Sequence, residues 1–452
     1  MIVRGASPAL VAVLISGVSS NGQDAAAPYV IGPNIQVSAA QPALRHYETY
    51  AGADPRRATH LIACAYVTKP ENGANVAVYT SFDQGATWSH KLTLPDAVDP
   101  SCEIAPSGIA FAAAIHDQTF ADGKSGSVVS VQRSRDAGRT WAPSSIEAGT
   151  RSVDRAYLTV DGRRVYVHAY RNSKSPPAAV LFAPSTDGGR SFGTARAIEA
   201  PTFEKPWFFP GNGVVDDKGN FFALLAELDD TKRNMSYRTD AASAPGSANA
   251  VLEVFASHDG GKTLRLAGKI VEVYYDWRVP QLSMPALAVD LSHGPFRGRL
   301  YAAWPDARYD HRTQILFSHS SDQGRTWAAP RIVSDESSGP HTNPRPNHFM
   351  PAIAVNRDGV AGISWYDRRD NPDNIGYWVR FAASLDGGAT WLPSARVSTS
   401  AHTASEDTRK NSGDTAGLTA DAGGLFHPVW IDNRTGIPQM WTASVRVRSR
   451  RR

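Results

Sequence analysis

Ser81-Phe-Asp83-Gln-Gly85-Ala-Thr87-Trp88 is an eight-residue sequence that returns five times along the chain. The copies are Ser134-Arg-Asp136-Ala-Gly138-Arg-Thr140-Trp141, Ser185-Thr-Asp187-Gly-Gly189-Arg-Ser191-Phe192 and Ser257-His-Asp259-Gly-Gly261-Lys-Thr263-Leu264. Two more follow, Ser320-Ser-Asp322-Gln-Gly324-Arg-Thr326-Trp327 and Ser384-Leu-Asp386-Gly-Gly388-Ala-Thr390-Trp391. The intervals are 53, 51, 72, 63 and 64 residues, so each octapeptide marks one repeat of a single architecture. Its chemistry is that of a hairpin tip. Asp accepts N–H bonds from its own turn, Ser adds a local bond, and Gly supplies the left-handed residue. An Asp fully used in holding a turn has nothing left for a substrate, so these six are read as structural.

Each repeat carries strands around its octapeptide. A first strand appears as Ala156–Val160, Pro285–Val289, Pro351–Val355 and Ala416–Ala420, ending in turn signals such as Asp161-Gly162 and Asp358-Gly359. A second follows as Val165–Tyr170, Phe221–Leu225, Leu300–Trp304, Ala361–Trp365 and Leu425–Trp430. The third runs into the octapeptide and the fourth leaves it. Four short antiparallel strands per repeat, arranged in a ring, describe an all-β propeller. After the sixth octapeptide a further unit begins, with strands near Ala416–Ala420, Leu425–Trp430 and Gln439–Val447, but it lacks a fourth. Asn34-Ile-Gln-Val37-Ser38 matches Ala395-Arg-Val397-Ser398 and supplies it. The expectation is seven four-stranded blades, with six as the fallback, closed by the N- and C-terminal strands.

Composition sets the context. The net charge of +4 resides in the tail, where Arg446, Arg448, Arg450, Arg451 and Arg452 leave the rest of the chain at −1. No sequence-wide basic stripe suits nucleic acid. Residues 1–27 run from a charged start with Arg4 through the short apolar Pro8–Val18 to Ala25-Ala26-Ala27, which reads as a secretory signal peptide. The apolar run is too short to span a bilayer, which needs about 20 residues, and no later segment reaches that length. A secreted protein, extracellular or periplasmic, is expected, with the propeller over residues 33–447, a basic tail over 448–452, and a monomeric state. Export leaves Cys64 and Cys102 two readings, a bridge between neighbouring blades or two small buried hydrophobes. No Gly-rich phosphate loop, zinc spacing or EF-hand loop occurs, so neither cofactor nor metal is expected.

Octapeptides join strands 3 and 4, so they lie on one face. The opposite face gathers the residues that open the first strands, among them Asp154, Arg155, Glu204, Lys205, Arg278, His348 and Asp414. A second group on that face is the motif Trp304-Pro-Asp306-Ala-Arg308, repeated as Trp365-Tyr-Asp367-Arg-Arg369 and Trp430-Ile-Asp432-Asn-Arg434. One reading is structural: a wedge Trp between blades, an Asp capping the turn, and an Arg bonding loop carbonyls in the next blade. The other is a ring of guanidinium groups converging on an anion.

The octapeptides resemble the Asp box of the sialidase/neuraminidase superfamily, known also as the bacterial neuraminidase repeat. There it joins the third and fourth strands of a propeller blade. The resemblance covers residues 81–391. It implies a glycoside hydrolase of exo-α-sialidase type, in which three arginines clamp the sugar's carboxylate, a Tyr–Glu pair is the nucleophile and an Asp is the acid/base. Only Arg278, in Trp277-Arg278-Val279-Pro280, matches the family's Arg-Ile-Pro motif. The family places that motif before its first box, whereas Arg278 lies between the fourth and fifth octapeptides. On this reading Arg278, Arg308 and Arg369 hold the carboxylate, and Asp154 (beside Arg155), Asp306 or Asp367 donates the proton. Lys205, Trp207, Trp304, Trp365, His348 and Arg434 would bind the glycan substrate. The alternative is a non-catalytic propeller that binds glycan or protein through the same face.

Overall fold

In the computed structural model the described residues are 27–68, 73–120, 122–145, 153–162, 164–171, 178–198, 202–232, 248–275, 284–309, 312–335, 346–371, 375–403 and 413–448. The signal-peptide expectation therefore falls outside them, as do Trp277 and Arg278. Within them the protein is all-β, and its strands form seven sheets arranged as the blades of a propeller.

Blade 1 shows the pattern. Its strands Arg45–Ala53, Leu61–Thr68, Ala74–Ser81 and Ser89–Pro95 pair in chain order, every pair antiparallel. The innermost strands of blades 2 to 7 are Ala97–Ile104, Asp154–Asp161, Pro206–Val215, Ala286–Val289, His348–Val355 and Gly417–Ala420. These seven strands pack in a ring around the axis, and the last returns to the first. Between blades lie separate apolar clusters, such as that joining Trp304, Leu287 and Leu252. Each blade thus buries its faces only against its neighbours.

All six octapeptides join strand 3 to strand 4. In the first, Ser81 Oγ donates to Asp83 Oδ1 at 2.8 Å and accepts the Gly85 N–H at 2.9 Å. Asp83 then accepts the Thr87 N–H at 2.9 Å and the Thr87 hydroxyl at 2.5 Å. The turn needs two consecutive left-handed residues: Gln84 has φ +62° and Gly85 φ +87°. Four bonds to one Ser and one Asp offset the cost of the non-glycine residue, about 1 kcal/mol or more.

The ring closes as the sequence implies. Blade 7 comprises Gly417–Ala420, Phe426–Asp432 and Gln439–Thr442, with Ile35–Gln36 as its outermost strand. Val37 is fully buried, and the hydroxyl of Ser38 donates to Gln439 Oε1 at 2.6 Å. The structure corrects one detail. The single strand read over Gln439–Val447 is broken, because blade 7 has no octapeptide to turn the chain back. Val445–Val447 instead pairs with Tyr29–Ile31, a second terminal pairing. Cys64 and Cys102 form a disulfide that ties the second strand of blade 1 to the first of blade 2, with 6.3 Å between their Cα atoms.

Two outcomes follow from this frame. Deleting residues through Ser38 is expected to abolish the cooperative thermal transition, which calorimetry reads directly. A sharp transition near the native temperature would mean that the ring holds without its closing strand. The turn carboxylates also set acid stability. The Thr140 N–H foremost, with the Ser134 and Thr140 hydroxyls, draws Asp136 down from 3.8 to about 2, and Asp259 likewise falls to about 2 through Thr263. A depressed carboxylate stabilises the fold above its unfolded value and loses that contribution as pH falls through its folded value. Urea midpoints should therefore drop steeply from pH 4 to about 2, and replacing Asp136 and Asp259 by Asn should flatten that drop.

Candidate functional site

The inner strands carry a recurrent irregularity. Pairing with strand 2 slips between Tyr47 and Tyr50, Val98 and Ser101, Asp154 and Tyr157, Pro210 and Gly213, and Phe349 and Ala352. Such a bulge re-aims the extra side chain. In blades 1, 2, 3 and 6 the bulged residue takes a left-handed backbone: Glu48 at φ +53°, Asp99 at +54°, Arg155 at +47° and Met350 at +56°. Non-glycine residues held there store strain of about 1–3 kcal/mol each, and such strain gathers at functional sites.

Three of these bulges converge on the axis, at the face opposite the octapeptides. Arg155 is nearly buried, at 4% exposure, and its guanidinium lies 3.6 Å from Glu48, 3.8 Å from Asp99 and 3.0 Å from Asp414. Its backbone N–H donates to Asp99 Oδ2 at 3.0 Å. Burial raises Glu48 well above the ordinary carboxyl range, with Asp99 and Asp414 adding to the shift and Arg155 opposing it. Asp154 is exposed to solvent beside this cluster. Desolvation and the neighbouring Asp99 push its carboxyl up to about 6, although Arg155 and the Tyr170 hydroxyl favour the ionised form. Tyr50 and Tyr157 meet edge to face, 5.6 Å apart, and burial raises both hydroxyls, so both stay neutral donors. Perturbed acids in a recess are the ordinary mark of acid–base chemistry.

Beneath this cluster the axis narrows to about 20 Å³ between Tyr50, Tyr157, Met284, Met350, Asp414 and Thr415. It then widens into a cavity of about 740 Å³ lined largely by small residues such as Ala51, Gly213, Ala286 and Ala352. That larger hollow opens between the strand 1–2 turns, on the octapeptide face. In its wall Glu103 is pushed by burial up to about 8, despite accepting the Val160 N–H. The titratable cluster and the wider hollow thus lie at opposite ends of one axle.

The Trp-x-Asp-x-Arg motif takes its structural form. Trp304, Trp365 and Trp430 are buried, and each indole N–H donates to the motif Asp, at 3.1, 2.7 and 2.9 Å. Arg308 pairs with Asp306 at 2.7 Å and donates to the Glu272 carbonyl of blade 4. Arg369 pairs with Asp367 and reaches Asp335 after blade 5. Arg434 pairs with Asp432 and bonds Asn34 and Thr399. Each arginine reaches back to the end of the preceding blade rather than forward to the next one as expected, and none of the three lines the axial hollows.

The expected arginine ring is therefore corrected among the described residues: Arg308 and Arg369 do not converge, because the nearest carboxylate in each blade captures them first. Trp304 and Trp365 are interblade core, with no face for a sugar. Asp306 and Asp367 are buried inside their own clips. His348 is buried with Nδ1 3.1 Å from Asp367 Oδ2, and so belongs to the blade 6 clip. Trp207 packs on the core of blades 4 and 5, while exposed Lys205 meets Asp230 only through its carbonyl, at 2.9 Å. Of the expected residues, Asp154, Arg155 and Asp414 come together. Glu48 and Asp99 join them unforeseen; the signal was a polar residue at the same offset in successive inner strands.

Among known proteins, no family profile matches the chain, and no curated protein matches it in sequence. Among solved structures, a Dyadobacter fermentans protein of unknown function superposes with a TM-score of 0.52 at 12% identity, over 93% of this chain and 100% of that one. A Hadza microbial sialidase gives 0.47 at 13% identity, over 92% and 91% of the two chains. Trypanosoma rangeli sialidase gives 0.46 at 15%, over 80% of this chain and 56% of that one. Likeness at this level of identity establishes the fold alone.

Two substitutions probe the cluster. Arg155→Met leaves half-buried carboxylates without their counter-charge and should cost about 3–5 kcal/mol in urea denaturation at pH 7. Asp154→Asn should raise the melting temperature at pH 7.5. A carboxyl whose folded value is raised stabilises below 3.8 and loses that contribution as pH rises through about 6. The gain should vanish below pH 4.

Proposed function

We propose that this chain is an exported glycoside hydrolase that works at the axial recess around Asp154 and Arg155. The observation that carries the reading is Asp154: exposed to solvent, set beside Asp99 and Arg155, with its carboxyl raised to about 6. At neutral pH it retains enough protonated form to donate to a glycosidic oxygen. As the C–O bond breaks, the Asp154 proton passes to the leaving oxygen, and a water attacks the anomeric carbon and gives its proton to a second carboxylate. We assign that role to Asp414, which Arg155 holds at 3.0 Å. Arg155 positions both acids, and Tyr50 and Tyr157 offer neutral hydroxyl donors near them.

The exo-α-sialidase form of this reading needs a carboxylate clamp. Arg308 and Arg369 are committed to their clips, and Arg278 lies outside the described residues. Among the described residues Arg155 is shared by Glu48, Asp99 and Asp414, which leaves its guanidinium engaged rather than open to a substrate carboxylate. That favours a sugar without a carboxylate at the reacting ring.

The test is fluorophore release from a panel of neutral glycosides, uronides and sialosides. A neutral glycoside should be cleaved, and Asp154→Asn should slow it about 100-fold or more without lowering the melting temperature. Cleavage of sialosides alone would restore the arginine-clamp reading. Silence across the panel with retained glycan binding would leave the protein a binding module.

A further inference from the structure

The sixth position of the octapeptide is not uniform. It is Arg139, Arg190, Lys262 and Arg325 in blades 2 to 5, but Ala86 and Ala389 in blades 1 and 6. These four side chains are exposed and stand on successive turns of one face. The outer strands that follow open with further exposed cations: Arg196 in blade 3, Arg265 in blade 4 and Arg331 in blade 5. Arg196 donates to the Lys262 carbonyl and Arg331 to the Ala389 carbonyl, each on the next blade's turn, so both guanidinium groups are held close to the octapeptides. None of the seven cations has a carboxylate partner among the described residues. The only acids on these turns are Asp136, Asp187, Asp259 and Asp322, each already engaged by its own Ser and by the residue four places on. Seven cations against four acids give half of the outer rim a net positive charge, in a molecule whose body is near neutral.

We propose that this arc is a docking track for an anionic polysaccharide, a polymer of carboxylated or sulfated sugars. The inference does not depend on the hydrolase reading, and the arc lies on the face opposite Asp154. The form of the arc selects the partner. One cation per blade along a curve suits a flexible chain with an anion on each repeat, which can follow the rim from blade 2 to blade 5. A nucleic-acid duplex, straight over about 150 base pairs, cannot track it. A flat anionic membrane would press equally on the inner ring of the same face. There Asp161, Asp216 and Asp217 line the axial cavity beside Lys218 and Arg297, so the inner ring adds no cationic surplus to hold it. Attraction of this kind is electrostatic and should weaken as salt rises.

The experiment uses the full chain with fluorescein-labelled dextran sulfate and alginate, and uncharged dextran as control. Both anionic polymers should bind with a strong salt dependence, and the control should not. The Arg139→Ala/Arg190→Ala/Lys262→Ala/Arg325→Ala variant should bind about tenfold or more weakly with a flattened salt dependence and an unchanged melting temperature. Should the quadruple variant fail to fold, the pairs Arg139→Ala/Arg190→Ala and Lys262→Ala/Arg325→Ala carry the same comparison. Lys91→Ala/Arg357→Ala, outside the arc, should bind as the native protein does. Equal binding by the arc variants and the native chain would overturn the proposal. So would no binding at all, or tighter capture of single-stranded DNA or of phosphatidylserine vesicles than of either polysaccharide.

Discussion

Six turn aspartates hold this molecule together. In each octapeptide one carboxylate oxygen takes the backbone N–H four residues on, the other takes that residue's hydroxyl, and the Ser four places before Gly accepts the glycine N–H. That network fixes two left-handed residues in succession and returns the chain as a fourth strand. Without the return a blade has only three strands and too little face to bury, since its core is shared entirely with its neighbours.

The arginines divide by the same logic. On the Asp154 face, Arg308, Arg369 and Arg434 reach back to adjoining strands or linkers, each held by its own aspartate. On the octapeptide face, Arg196, Arg299 and Arg331 reach forward to carbonyls of the following turn, at Lys262, Gly387 and Ala389. The disc is laced on both sides, in opposite senses. Residues that recur from blade to blade serve this lacing. At the bulge position, by contrast, the residue changes with each blade: Glu48, Asp99, Arg155 and Met350 in blades 1, 2, 3 and 6.

The sequence made the scaffold legible because scaffold chemistry is local. A Ser-x-Asp-x-Gly turn binds itself within eight residues, and the match of Asn34–Ser38 to Ala395–Ser398 needs only identical packing at the two places. The site was harder to read because it is assembled from blades 1, 2, 3 and 7, with Glu48 and Asp414 366 positions apart in the chain. Glu48, Asp99 and Arg155 point inward because a bulge in each of their strands turns them, and a bulge leaves no hydrophobic pattern behind. Asp154, Arg155 and Asp414 were readable from topology, as residues opening inner strands. Glu48 and Asp99 required the register slip. Trp304 and Trp365 looked like sugar platforms because an aromatic residue ending a strand does not reveal which side of it is covered.

The terminal pairing has a consequence for how the chain comes to rest. Ile35–Gln36 and Gln439–Thr442 lie some four hundred residues apart, and bringing such ends together costs roughly 5 kcal/mol of chain entropy beyond any constant term. Nothing refunds that cost until the other six blades already stand. The earliest residues in the chain therefore find their place last. Through the interval before they do, Gln439–Thr442 presents a bare row of amide and carbonyl groups to solvent, and that exposed ribbon is where a half-finished disc would stick to another.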